Sequence, residues 1–167
     1  GTAALGVTHP LDAADPAAVV ELAQALGVDL VVVGPEAPLV AGVVDALEAV
    51  GVPAFGPRAA AARIEGSKAF AKEIMRAAGA PTGGAVATSE VAEAFAALER
   101  FGAPYVVKAD GLAAGKGVRI CAELAEAREA VEDALVRGVF GGAGSRVVIE
   151  EYLDGPERSV FGVCDGT

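Results

Sequence analysis

The chain has 167 residues, of which 53% are hydrophobic and 22% are charged, a balance that excludes intrinsic disorder and allows a sizeable core. Asp and Glu outnumber Lys and Arg by 23 to 13, and the formal net charge of −10 argues against a broad surface for binding nucleic acid. One histidine and two cysteines argue against a zinc site, a histidine-activated nucleophile and a disulfide framework, which predicts a reducing, cytoplasmic compartment.

The first third of the chain predicts helices alternating with the strands of a parallel sheet. Asp15 and Pro16 are typical of a helix start, and Gly27 of its end. An apolar, β-branched run at residues 30–33 predicts a buried strand. Residues 34–38 are predicted to form a loop, followed by a helix that ends at Gly51 and a short strand over residues 52–55. In such sheets ligands bind at the carboxyl ends of the strands, where the 34–38 loop falls.

The remaining sequence predicts a helical connection and then a small α+β module. The connection contains an alanine-rich helix near residues 59–62, a helix from the cap Ser67 to Gly79, a linker or edge segment over residues 80–87, and a helix capped by Ser89. The module contains strands at residues 104–109 and 118–121 joined by a glycine-rich turn, a helix closed by Gly138, a glycine-rich loop over residues 140–145, and strands at 147–152 and 159–164. We therefore divide the chain into residues 1–57, 58–103 and 104–167.

The most informative motif is KADGLAAGKGV, residues 108–118. A glycine-rich turn between strands lets backbone N–H groups approach phosphate oxygens, and Lys108 and Lys116 add positive charge on either side. The spacing differs from that of a Walker P-loop, and the chain contains no G-x-G-x-x-G motif, which argues against a dinucleotide-binding dehydrogenase. The motif predicts an anion site; an ordinary hairpin with a solvated lysine remains the alternative.

Two further features carry polar chemistry. Residues 147–159, VVIEEYLDGPERS, predict a strand that ends in Glu150 and Glu151, with Glu157 following. Adjacent strand residues face opposite sides, so one of the two glutamates can face a pocket and accept a hydrogen bond from an adenine amino group or a ribose hydroxyl. Lys68 falls in the first turn of its helix, where a cation opposes the helix dipole, and this placement is consistent with a bound anion. Solvated acids at a strand end and an exposed lysine are the alternatives.

Four strings occur together in one order: GPEAPL at residues 34–39, IEGSK at 64–68, KADGLAAGKG at 108–117 and VIEEYLDG at 148–155. In this combination the sequence resembles the ATP-grasp superfamily and, within it, the phosphoribosylamine–glycine ligase family of de novo purine synthesis. The resemblance covers essentially the whole chain. It implies an α/β fold: a partial parallel-sheet, Rossmann-like (pre-ATP-grasp) substrate domain over residues 1–57, followed by the small α+β ATP-grasp subdomain that binds nucleotide over residues 104–167.

The resemblance also implies roles for individual residues. Lys68 and Lys108 match the two lysines that bind the ATP phosphates, residues 110–117 match the loop that closes over them, and Glu150 matches the acid that reads the adenine amino group. Glu151 and Leu153 would offer backbone groups to the adenine edge, and Glu157 would hold the ribose hydroxyls. The implied catalytic residues are Lys68, Lys108 and Lys116. The remaining implied ATP-binding residues are Gly111, Ala114, Gly115 and Gly117. The implied substrate-binding residues are Pro35, Glu36, Ala37, Pro38 and Asp110.

The implied reaction joins glycine to 5-phosphoribosylamine at the expense of ATP, through glycyl phosphate, and requires Mg²⁺ or Mn²⁺. The family pattern places the metal ligands after residue 167 and one βα unit before residue 1, so we expect a fragment of a longer enzyme that does not turn over alone. We expect a monomer. We expect no nucleic-acid partner, because the chain is acidic, and no membrane partner, because no apolar run is long enough to span a bilayer. Another ATP-grasp ligase or carboxylase, and a nucleotide-binding module without turnover, remain the alternatives.

Overall fold

Two sheets organise the computed structural model, which describes residues 4–113 and 115–162. A two-stranded parallel sheet lies in the first part of the chain and a four-stranded antiparallel sheet in the second. The elements in chain order are α1 (Pro16–Leu26), β1 (Val31–Val32), α2 (Glu36–Val40), α3 (Val43–Ala49), β2 (Ala54–Phe55), α4 (Ala59–Gly66), α5 (Lys68–Ala77), β3 (Ala85–Thr88), α6 (Val91–Phe101), β4 (Tyr105–Ala109), β5 (Val118–Cys121), α7 (Leu124–Leu135), a 3₁₀ helix (Gly141–Gly144) and β6 (Val147–Glu150).

Helix α1 forms where its capping residues predict it. The Asp15 carboxylate accepts hydrogen bonds from the backbone N–H groups of Ala17 and Ala18, at 3.0 and 3.3 Å, and Gly27 ends the helix with a φ of 58°. A side-chain cap of this kind stabilises a helix by about 1 kcal/mol relative to alanine, and glycine adopts the left-handed conformation without steric cost. The predicted start and end of this helix are confirmed.

The parallel sheet is shorter and more exposed than predicted. Strands β1 and β2 pair in parallel, which confirms the predicted direction, but each contains only two residues. Helices α1 and α3 pack on one face of the sheet, whereas Leu30, Val32 and Phe55 are 54%, 66% and 53% exposed. The prediction of a fully buried strand is therefore wrong, because it assumed that both faces are covered.

The segment after β1 also differs from the prediction. Residues 34–38 were expected to form a loop, but α2 begins at Glu36 and contains Ala37 and Pro38. Pro38 is tolerated because the first-turn N–H groups of a helix have no partner within the helix. The expected single helix is interrupted at Gly42, whose φ of 90° separates α2 from α3.

The antiparallel sheet has the strand order β3-β6-β4-β5. Residues 159–164 were predicted to be a strand, but residues 159–162 form no strand, and residues 163 and 164 lie outside the described range. Strand β3 occupies the edge position beside β6 instead, so the predicted linker or edge segment is the fourth strand. Val160 and Phe161 are each 93% exposed, which fits a segment without a packing partner.

The core of this second part lies on one face of the sheet, under α6 and α7. Val107, Val147 and Ile149 are at most 3% exposed there and pack against alanines of both helices. Two local predictions are wrong: Ser89 is not the cap of α6, because Glu90 occupies the cap position, and the glycine-rich segment at 140–145 contains a packed 3₁₀ helix. No helix in the described part of the chain is long and apolar enough to cross a membrane.

Candidate functional site

A cavity of about 840 Å³ opens between the two parts of the chain, a size typical of small-molecule sites. It lies on the face of the antiparallel sheet that α6 and α7 leave uncovered, since side chains alternate along a strand and Val107 and Ile149 face the helices. The predicted site residues that line it are Glu36, Ala37, Lys68, Lys108, Gly115, Gly117, Glu150 and Leu153.

The start of α5 is tied to the glycine-rich loop. Ser67 caps the helix as predicted, since its Oγ accepts from the Phe70 N–H at 3.1 Å. The Lys68 ammonium donates to the backbone carbonyl oxygens of Gly111 and Asp110, at 3.1 and 3.4 Å. This lysine therefore projects from the first turn of α5 towards the loop rather than into solvent.

Asp110 supplies a carboxylate at the same helix end. Its Oδ1 accepts from the Ala69 N–H at 2.7 Å, and both carboxylate oxygens lie 3.1 Å from the Ser67 Oγ. A negative charge at a helix N-terminus is stabilising, so Asp110 offsets the unfavourable position of Lys68 from within the chain. The predicted substrate-binding carboxylate is thus already engaged in hydrogen bonds with α5.

The centre of the cavity wall is a buried cluster of charges. Glu150, 9% exposed, ends β6, and its Oε2 lies 2.6 Å from the ammonium of Lys108 on neighbouring β4. Its Oε1 lies 3.5 Å from the ammonium of Lys72 on α5. Glu151 faces the other side and accepts from the Gly84 N–H at 3.1 Å, so the predicted opposite orientation of the two glutamates is confirmed.

The glycine-rich loop is fixed at both ends by backbone contacts. The Gly111 N–H donates to the Ala143 carbonyl oxygen at 3.1 Å, and a Cβ on Gly111 would lie 2.8 Å from the Ala143 Cα. At the other end the Ala109 N–H donates to the Gly117 carbonyl oxygen at 2.7 Å, and a Cβ on Gly117 would lie 2.7 Å from the Ala113 Cβ. Both glycines are therefore required by close packing.

The other predicted site residues that the structure describes do not line the cavity. Lys116 is exposed in the loop, and Glu157 is exposed in the segment after β6. Pro38 is buried in α2, and Pro35 lies at its N-cap. Ala114, also predicted to bind ATP, lies outside the described residues. Of the predicted site residues that the structure describes, those that do not line the cavity are Pro35, Pro38, Asp110, Gly111, Lys116, Glu151 and Glu157.

Besides Glu65, the charged lining residue that the sequence analysis missed is Lys72. It follows Lys68 by four residues on α5, so both side chains project from one face of the helix. That spacing was the available signal. Together with Lys108, these side chains bring three ammonium groups to one cavity in an acidic chain, an arrangement suited to a polyanionic ligand.

A metal centre is not formed by these residues. Within residues 4–113 and 115–162, no three His, Cys, Asp or Glu side chains come close enough together to hold a metal ion. The cavity instead presents three lysine ammonium groups, which fit phosphate oxygens.

Comparison with known proteins points to one family. The chain is 54% identical over 166 residues to a phosphoribosylamine–glycine ligase of Streptomyces coelicolor and 51% identical over 156 residues to one of Vibrio parahaemolyticus. These alignments cover 99% and 93% of the chain but only 38% and 36% of the relatives. The chain therefore spans less than two-fifths of the length of these relatives.

Solved structures share the fold. The crystal structure of phosphoribosylamine–glycine ligase from Thermotoga maritima matches 93% of the chain and 36% of its own, with a TM-score of 0.73 and 29% identity. The D-alanine–D-alanine ligase of Bacillus anthracis, solved in complex with ATP, matches 84% of the chain and 45% of its own, with a TM-score of 0.65 and 25% identity. The α/β architecture with an ATP-grasp region, expected from the sequence, is confirmed.

Two family models together match the whole chain. The N domain of phosphoribosylglycinamide synthetase matches residues 1–65, and the ATP-grasp (A) domain of the same family matches residues 66–167. The chain belongs to the phosphoribosylglycinamide synthetase family.

Proposed function

We propose that this chain supplies the nucleotide-binding wall of a ligase that joins glycine to 5-phosphoribosylamine and converts ATP to ADP and phosphate. The observation that carries the proposal is the cavity in which Lys68, Lys72, Lys108 and buried Glu150 converge beside a glycine-rich loop. Kinship with phosphoribosylamine–glycine ligases supports the choice of reaction, and no observation favours another ATP-grasp reaction or a module without turnover.

In this proposal each group that was predicted to bind ATP contacts a particular part of the nucleotide. Lys68 and Lys108 bind the phosphates, and the glycine-rich loop with Lys116 closes over them. Glu150 accepts a hydrogen bond from the adenine amino group, the backbone of Glu151 and Leu153 meets the adenine edge, and Glu157 holds the ribose hydroxyls. Fixed positive charges stabilise developing negative charge better than mobile ones, because they need no reorganisation during the reaction.

The proposed chemistry is phosphoryl transfer followed by acyl transfer. A carboxylate oxygen of glycine attacks the γ-phosphorus of ATP, and the bond from that phosphorus to the β-bridging oxygen breaks, which gives glycyl phosphate and ADP. The amine of phosphoribosylamine then attacks the carbonyl carbon, loses a proton and displaces phosphate. Such transfers depend on positioning and charge neutralisation, which the lysines provide here. Mg²⁺ or Mn²⁺ would neutralise phosphate charge, and its ligands are proposed to lie outside this chain.

The substrate end of the cavity is proposed to lie at α2. Glu36 and Ala37 line the cavity from the first part of the chain, and Pro35 and Pro38 shape the turn that presents them. Asp110 acts indirectly in this proposal, because its carboxylate holds the start of α5. The division at residues 57 and 103, a cytoplasmic location and a monomeric state are part of the same proposal.

The decisive experiment measures ADP release by the whole protein with and without glycine. We expect release only when glycine and phosphoribosylamine are both present. Glu36→Ala should weaken phosphoribosylamine use at least about tenfold, the effect of losing a charged hydrogen bond, and change ATP affinity less than about threefold. ADP release that does not depend on glycine would refute the reaction, and an equal loss of ATP affinity would refute the place of Glu36.

A further inference from the structure

Lys72 is the most tightly held ammonium group of the cavity wall. It donates to the Thr82 Oγ1 at 2.7 Å and to the Gly83 carbonyl oxygen at 3.2 Å, and lies 3.5 Å from the Glu150 Oε1. Two of its three N–H donors therefore have hydrogen-bond acceptors, and the Glu150 carboxylate is its ion-pair partner. The side chain is 14% exposed, so its charge is anchored to the segment before β3 and to Glu150.

Lys108 is bound differently. Among the described residues its ammonium group has one hydrogen-bond acceptor, the Glu150 Oε2 at 2.6 Å, and its side chain is 25% exposed. Two of its three donors therefore remain for a ligand in the cavity. The two lysines bind opposite oxygens of the same carboxylate, but only Lys108 keeps donors for a phosphate.

Glu150 requires a counter-ion at all times, because its side chain is only 11% exposed. A buried carboxylate without a counter-charge is strongly unfavourable, since water cannot solvate it. If Lys108 were its sole cation, a bound phosphate and Glu150 would compete for the charge of one ammonium group. Lys72 removes this conflict, because it stays on the other carboxylate oxygen.

We propose that Lys72 is a positioning residue: it is the standing counter-ion of Glu150 and thereby leaves Lys108 available for the phosphates of the nucleotide. This inference rests on the proposed function, because it requires a nucleotide in this cavity. Lys72 acts through Glu150 and does not itself contact the nucleotide.

The test is a double-mutant cycle on ATP affinity in the whole protein, measured by calorimetry. Lys72→Met should weaken ATP binding about 10- to 100-fold, the size of a lost charged hydrogen bond, because Glu150 then cancels the charge of Lys108 and leaves no net positive charge there for the phosphates. In a Glu150→Gln background the same substitution should cost less than about threefold, because a neutral amide needs no counter-ion. Arg76→Gln is the matched control. It removes a cation that lies on α5, four residues after Lys72, but does not line this cavity, so ATP affinity should be unchanged.

Each outcome decides the matter. If the wild-type protein does not bind ATP, the proposed function and this inference both fail. If the wild type binds ATP and Lys72→Met binds it equally well, the inference fails and the function stands. If Lys72→Met costs the same in both backgrounds, Lys72 does not act through Glu150 and the inference fails. Should Lys72→Met not fold in thermal scans, Lys72→Gln replaces it in the same cycle, since it keeps a donor for Thr82 and lacks the charge.

Discussion

The close packing of Gly111 against the 3₁₀ helix predicts by how much a Gly111→Ala substitution destabilises the chain. A Cβ at this position would lie 2.8 Å from the Cα and 2.9 Å from the Cβ of Ala143, closer than real Cβ contacts. The two backbone segments must therefore move apart at the point where the Gly111 N–H donates to the Ala143 carbonyl oxygen, at 3.1 Å. Overpacking of this kind costs about 1–3 kcal/mol. For a chain of this length each kcal/mol lowers the melting temperature by roughly 2–4 °C.

The assay compares the thermal unfolding of Gly111→Ala with that of Gly142→Ala. Gly142 is the matched control, because a Cβ there meets nothing within 4 Å and its φ lies outside the left-handed region. Adding Ala143→Gly to Gly111→Ala should restore only part of the stability, since the Ala143 Cα would still lie 2.8 Å away. Gly111→Ala should also weaken ATP binding, because the Gly111 carbonyl oxygen accepts from the Lys68 ammonium. Equal melting temperatures for Gly111→Ala and wild type would refute the reasoning.

Two further predictions concern Lys108, Lys116 and Cys121. Lys108→Ala should reduce ATP affinity in the whole protein more than Lys116→Ala, because a strand holds Lys108, whereas ordering the exposed Lys116 costs about 1 kcal/mol on binding; a larger effect of Lys116→Ala would reverse these roles. Burial raises the pKa of the Cys121 thiol, so in a Cys164→Ser background iodoacetamide should modify the native chain more slowly than the urea-unfolded chain. The unfolded thiol ionises first, so this group makes stability fall as the pH rises above the ordinary thiol pKa, and a Cys121→Ala variant should lack that loss.

The cluster of Lys72, Glu150 and Lys108 determines the charge of its part of the cavity wall. Its two cations compensate one buried carboxylate, so the cluster itself carries one surplus positive charge. Glu36 lines the same cavity from α2, an element of the first part of the chain.

The sequence by itself determined the features that depend on neighbouring residues. Asp15 and Gly27 delimit α1 and Ser67 begins α5, because a cap needs only backbone groups within a few residues. The opposite orientation of Glu150 and Glu151 follows from the two-residue period of a strand. The motif around Lys108 and the strings beside it were also sufficient to place the chain in its family.

Only the tertiary structure decided which distant residues meet. Residues 85–88 follow a stretch rich in Pro, Thr and Gly and resemble a linker, and their pairing with β6, whose residues follow 59 to 65 positions later, makes them a strand. Asp110 reaches Ser67 across 43 residues, and Lys108 reaches Glu150 across 42. Such contacts depend on how the sheets and helices pack, because no local propensity records which strand will lie beside which. Lys72 was missed for that reason: its own helix explains its position, and only the folded sheet brings it to Glu150.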